Sequence, residues 1–203
     1  MYICQLSTKH SQTSGADYHY AKKVAQKALK PVTLHFSQLK PPIFFLAYCD
    51  ASFANLPGGS SQGAYVIFLS DSNGYVSPIT WGSKKLQRVC RSSLAAEVMA
   101  ILDTVDITIW LRYILSEIFD GQILTTVIRT DNKSSYENIH STTPADEKRT
   151  RVDIAAIRES VRRKEVSIEW IRKEHQLADV LTKQGADSSK LAAVLEKGHI
   201  HIE

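Results

Sequence analysis

"AYCDASFA", residues 47–54, is the stretch on which the reading of this chain turns. Phe44, Phe45, Leu46 and Ala47 form an apolar run typical of a strand buried on both faces, and the run breaks on a carboxylate, Asp50. A second strand-like run, "ILTTVIRT" at 123–130, also leads straight into an aspartate, Asp131. If these two strands lie side by side and parallel, their terminal carboxylates are neighbours.

The segments between them allow that arrangement. "AYVIFLS" (64–70) and "YVSPITWG" (75–82) read as strands set off by "NLPGGSSQG" and "DSNG", so the first three strands form an antiparallel meander. A helix then starts at Ser92 or Ser93 and runs to about Ile118, because Leu94, Val98, Ile101, Leu102, Val105 and Ile109 recur at spacings of three and four. Beyond 123–130 the pattern gives a helix at 146–164, an alternating strand at 166–172 ("VSIEWIR") and a helical stretch from Leu177. In that stretch Gly185 interrupts, Asp187 caps the continuation and Gly198 closes it. The order βββαβαβα predicts an α/β domain built on one mixed sheet.

Composition bounds the functions available. A chain of 203 residues, 43% hydrophobic, supports one domain and an appendage. Twenty-five Lys and Arg against 21 Asp and Glu, a formal charge of +4, suit a polyanionic partner only if the charge is clustered. Cys4, Cys49 and Cys90 are too scattered for a disulfide framework or a zinc site, which favours an intracellular, cytoplasmic setting. No apolar stretch approaches the roughly 20 residues that span a bilayer, and no signal pattern opens the chain. The character changes near residue 41. "SGADYHYAKKVAQKALK" (14–30) reads as an amphipathic helix stopped by Pro31, and a linker ending in "KPP" (40–42) separates residues 1–40 from a main domain at 41–203.

Two further acids join the first pair. Glu97 lies between Leu94 and Ile101 on the apolar stripe of its helix and so points inward, where a carboxylate is costly without compensation. Asp179 falls in the first turn of the last helix, with His175 close by in "EHQLAD". Four converging carboxylates raise one another's pKa values and call for cations, and an all-oxygen set suits Mg²⁺ or Mn²⁺. Taken singly each has a plainer explanation. Asp50 and Asp131 suit turns, Glu97 a buried arginine partner, and Asp179 a helix start. The four together outweigh these.

Basic residues mark where a polyanion can lie. No acid occurs between Ser72 and Ala96, whereas Lys84, Lys85, Arg88 and Arg91 lead into the helix bearing Glu97. Lys148, Arg149, Arg151, Arg158, Arg162, Arg163 and Lys164 form a second group with only Asp153 and Glu159 among them, although a solvated helix face is the default reading of such a run. Asn132 and Ser134 either contact substrate or cap a short helix. Trp81 and Tyr136 are candidates for stacking, but the apolar neighbours of Trp81 make it read as core.

"YCDAS", "WGSKK", "RSSLAAEVMA", "RTDNKSS", "RTRVDIAAIRESV" and "EHQLADVLTK" together resemble the ribonuclease H domain of copia-type LTR retrotransposon polyproteins, over roughly residues 43–185. The resemblance implies the ribonuclease H-like fold, a mixed five-stranded sheet, first antiparallel and then parallel, with helices on both faces. It implies that Asp50, Glu97, Asp131 and Asp179 hold two Mg²⁺ ions, with Mn²⁺ as a substitute, and that His175 assists proton transfer or product departure. The implied activity is cleavage of the RNA strand of RNA–DNA hybrids to 3′ hydroxyl and 5′ phosphate ends during reverse transcription. Lys84, Lys85, Arg88, Asn132, Ser134, Arg149 and Arg151 would contact the hybrid. Residues 1–40 resemble the end of a preceding reverse transcriptase region, an implied partner, and virus-like particles are an implied location. The chain departs from the copia pattern in placing Arg151 and Val152 before Asp153, where a histidine is usual. The order D, E, D, D disfavours a transposase or integrase, in which the glutamate comes last. The remaining alternative is an inactive module that binds nucleic acid or braces a polymerase.

Overall fold

The β1 strand (Ile43–Leu56) owes its place to the apolar run at 44–47. Odd positions Phe45, Ala47 and Cys49 face one core and even positions Leu46 and Tyr48 face another, and every residue from 45 to 51 is buried. In the computed structural model, which describes residues 13–29, 32–118, 121, 124–142 and 147–200, β1 is the central strand of a five-stranded sheet. Its neighbours are β2 (Ser60–Asp71), β3 (Val76–Lys85), β4 (Thr126–Thr130) and β5 (Ser167–Trp170), in the order β3-β2-β1-β4-β5. The first three pair antiparallel, whereas β4 and β5 run parallel to β1.

Turn chemistry fixes the meander. Gly58 (φ 74°) and Gly59 (φ 71°) turn β1 into β2 through a conformation that side chains disfavour. Between β2 and β3 the Asp71 carboxylate accepts the backbone N–H groups of Asn73 (2.9 Å) and Tyr75 (3.1 Å).

Helices cover both faces. The long helix α2 (Ser93–Ile118), preceded in the chain by α1 (Gly15–Ala28), lays Val98, Ile101 and Val105 on Phe45, Ile67 and Ile128. The short α3 (Lys133–His140) adds Ile139 to this core, and α4 (Lys148–Arg162) adds Ile154 and Ile157. Full burial of side chains of this size contributes about 1.5–3 kcal/mol each. On the other face Leu177, Ala178 and Ile200 meet Leu46, Val66, Phe68 and Val76. Two short helices, α5 (Asp179–Thr182) and α6 (Ser189–Lys197), pack there through Leu181, Val194 and Leu195.

Several expectations change in detail. β1 does not end at Asp50 but continues to Leu56, because β2 is long enough to keep pairing with it through an irregularity after Ser52. Only its pairing with β4 stops early, at Tyr48 opposite Arg129. Trp81 is not core: on the edge strand β3 it is 53% exposed. β5 is shorter than 166–172, and α4 is shorter than 146–164, its end followed by Lys164 at φ 58°. Gly185 (φ 79°) breaks the last helical stretch, Asp187 accepts the Ser189 N–H at 2.9 Å, and Gly198 (φ 63°) caps α6. Cys4, Pro31 as a helix stop, residue 123 as a strand start and residue 146 as a helix start lie outside the described residues. Among the described residues no helix is long and apolar enough to cross a membrane.

Candidate metal centre

The parallel pairing of β1 with β4 brings Asp50 beside Asp131, which directly follows the last residue of β4. Asp179, the first residue of α5, supplies a third carboxylate, and one oxygen from each lies within 4.8 Å of the others. Asp50 is buried, while Asp131 and Asp179 are half-buried. Three segments far apart in the chain thus put negative charge in one place.

Neighbouring groups hold each acid. Thr182 donates its hydroxyl to Asp50 Oδ2. Gln176 Nε2 donates to the Cys49 carbonyl at 2.9 Å and reaches Asp131 Oδ1 at 3.3 Å, while Gln176 Oε1 accepts the Ala178 N–H at 3.1 Å, which fixes the turn into α5. Lys183 Nζ lies 2.6 Å from Asp179 Oδ1 and 3.3 Å from Asp50 Oδ1. Asn132 serves as a helix cap, its side chain accepting the Ser135 N–H at 2.8 Å, and so orients the turn that follows Asp131.

Glu97 stands apart from this trio but feels it. Burial first, then the charges of Asp50 and Asp131, push its carboxyl up to about 9, against weaker opposition from Lys183 and the Ala51 backbone N–H. Asp50 rises to about 6, chiefly through burial, with Lys183 and Thr182 opposing and Asp179 and Asp131 adding to the rise. Glu97 Oε2 is buried without a hydrogen-bond partner. Three carboxylates against one ammonium, −3 + 1, leave a net charge of −2 before Glu97 is counted. An orphaned carboxyl oxygen beside an all-oxygen cluster that one lysine compensates only in part fits a hard divalent cation. The trio would hold it, with Glu97 in reserve.

Other expected site residues fall elsewhere or are already engaged. His175 belongs to the turn Lys173–His175 and lines a cleft of about 760 Å³ with Tyr48, Arg129 and Trp170, and none of the four acids lines that cleft. Lys84 pairs with Asp103 (3.1 Å) and Arg88 with the buried Asp153 (2.8 Å). Lys85, Ser134, Arg149 and Arg151 are exposed. Part of the second basic group is structural: Arg158 donates to the carbonyls of Ile139 and Asn138, and Arg162 and Arg163 both pair with Glu159. Lys183, Thr182 and Gln176 were not evident from the sequence. All three lie within the quoted stretch "EHQLADVLTK", and Lys183 and Thr182 stand four and three residues after Asp179, one helical turn on, but the stretch gave them no role.

No family model matches the chain. It is similar to the retrovirus-related Pol polyproteins from transposons RE1 and RE2 of Arabidopsis thaliana, each 30% identical over 139 residues, or 68% of this chain. The chain spans only 9% of the length of these curated relatives. Among solved structures it is similar to LC11-RNase H1, isolated from compost by a metagenomic approach (TM-score 0.50, 16% identity), covering 68% of this chain and 91% of that one. The same enzyme in complex with an RNA/DNA hybrid matches equally well, with 92% of its chain covered. The sheet order, pairing directions and helical layers are those of the ribonuclease H-like fold.

Proposed function

We propose, from the premise that this chain carries a ribonuclease H domain of the retrotransposon Pol polyprotein kind, that it hydrolyses the RNA strand of RNA–DNA hybrids with divalent metal ions. The observation that carries this reading is the meeting of Asp50, Asp131 and Asp179, from three separate elements, within 4.8 Å. A cluster of like charge is costly, and it is maintained here beside a buried, unpartnered Glu97 oxygen. Bound Mg²⁺ or Mn²⁺ would activate a water and steady the leaving 3′ oxygen, giving 3′ hydroxyl and 5′ phosphate ends.

The chain's own residues prepare the site. Thr182 orients Asp50, and Gln176 positions Asp131 relative to the strand beside it. Lys85 and Arg149 offer exposed cations to the phosphate backbone, and Arg151, exposed as well, has an interaction of its own within the fold. Lys84 and Arg88 reach the phosphates only by sharing or leaving their acidic partners. Ser134 is exposed one turn beyond Asp131 and is placed to meet a sugar hydroxyl. Residues 1–40 as the end of a reverse transcriptase region, action beside such a domain, and residence in virus-like particles in the cytoplasm belong to the same proposal.

The test is direct. Labelled RNA–DNA hybrid, duplex DNA and duplex RNA are incubated with the chain in Mg²⁺, in Mn²⁺ and in EDTA. Cutting confined to the hybrid and to the metal-containing reactions is expected, whereas hybrid binding with no cutting in either metal would make the chain an inactive binding module. In the same assay a Lys85→Ala/Arg149→Ala variant is expected to weaken hybrid binding about equally across sequences. The slope of log affinity against log salt should shrink by about 1 for each phosphate no longer neutralised. An unchanged slope would remove these two cations from the interface.

A further inference from the structure

We propose that Lys183 is a built-in counter-cation that holds the acidic trio together before metal arrives and is displaced from Asp50 when metal binds. This rests on the metal reading above. Both oxygens of Asp50 already have partners: Oδ1 faces Lys183 Nζ at 3.3 Å, and Oδ2 accepts from the Thr182 hydroxyl. The Asp50 side chain is 1% exposed, so a bare charge there would be expensive, and a lysine partner lessens that cost. A divalent ion that takes Asp50 as a ligand can share it with the neutral Thr182 hydroxyl, but it meets a like charge in the Lys183 ammonium.

The geometry selects the lysine. Thr182 is fully buried, and its hydroxyl also lies 3.2 Å from the Asp179 carbonyl within α5, so it has nowhere to go. The Lys183 side chain is 34% exposed and has a flexible four-carbon stem on which to swing outward. It also lies four residues after Asp179, with Nζ at 2.6 Å, so the same helical turn keeps a freed ammonium beside the centre. The lysine sits against Asp50 Oδ1 and Asp179 Oδ1, and so against two of the three carboxylates that would hold a metal. The two cations compete for one place, and the fold supplies the first so that the acids are preset for the second.

The proposal is tested by metal binding rather than by turnover. Mn²⁺ affinity is measured by electron paramagnetic resonance on the full chain and on Lys183→Met, which keeps an unbranched stem and removes the charge. The variant is expected to bind Mn²⁺ about tenfold more tightly, to melt at a lower temperature in EDTA, and to recover most of that loss in Mn²⁺. On the unmutated protein, acylation of Lys183 by an amine reagent, read by mass spectrometry, is expected to rise several-fold when Mn²⁺ is added, which serves even if the variant does not fold. Equal or weaker Mn²⁺ binding by Lys183→Met, or labelling indifferent to Mn²⁺, overturns the proposal while leaving the metal reading intact if the unmutated chain binds Mn²⁺. Binding of Mn²⁺ by neither protein overturns both.

Discussion

Asp131→Asn is expected to reduce metal-dependent cleavage of an RNA–DNA hybrid by at least about 10²–10³-fold, while the fold survives. The substitution is nearly isosteric, and the residue is only half-buried at the end of β4, so packing on Ile128 is untouched. An amide oxygen can still face Gln176 Nε2, which lies 3.3 Å from Asp131 Oδ1. What is lost is one of three negative charges in the trio, and with it the anionic oxygen that makes the centre attractive to a hard cation. Initial rates on labelled hybrid, beside circular dichroism and thermal melting, separate lost chemistry from lost structure. A variant that retains a tenth of the activity or more would place the chemistry elsewhere.

The second large effect concerns pH in the absence of metal. Burial and neighbouring charge push Glu97 from 4.5 up to about 9 and Asp50 from 3.8 up to about 6. Above those ordinary values the unfolded chain gives up protons that the folded chain keeps. The stability these groups contribute is therefore fully present below about pH 4 and lost as pH rises, through about 6 for Asp50 and about 9 for Glu97. For Glu97 alone the upper bound is about 6 kcal/mol, or about 10–20 °C in Tm for a chain of this size. Melting in EDTA from pH 5 to 9 is expected to show a falling Tm, and Glu97→Gln to flatten most of that fall, melting well above the unmutated protein at pH 9. Saturating Mg²⁺ opposes the trend by favouring the ionised carboxyls. If the two proteins melt in parallel across the range, Glu97 is not the group responsible.

The sequence made some of this legible for a definite physical reason. A strand buried on both faces has to be apolar, so the carboxylates of Asp50 and Asp131 stood out against their runs, and helical spacing put Glu97 on the inner stripe. The length of β1 was not legible, because "SFAN" at 52–55 carries no strand alternation and is held by the irregular pairing with β2. Nor could composition separate a phosphate-binding arginine from a structural one. Arg158 and Arg88 look alike in the sequence, yet one ties α4 to the end of α3 through carbonyls and the other faces Asp153 across two segments. Lys183 reads as an ordinary surface lysine until α5 turns it back over Asp179.

The break at Gly185 divides the end of the chain by task. On its near side lie the residues that grip the acids, and on its far side a helix that seals the sheet. Such a seam lets selection retune the outer helix without disturbing the chemistry, so relatives of this domain can be expected to vary in length and orientation beyond it while the residues just before it stay fixed in register.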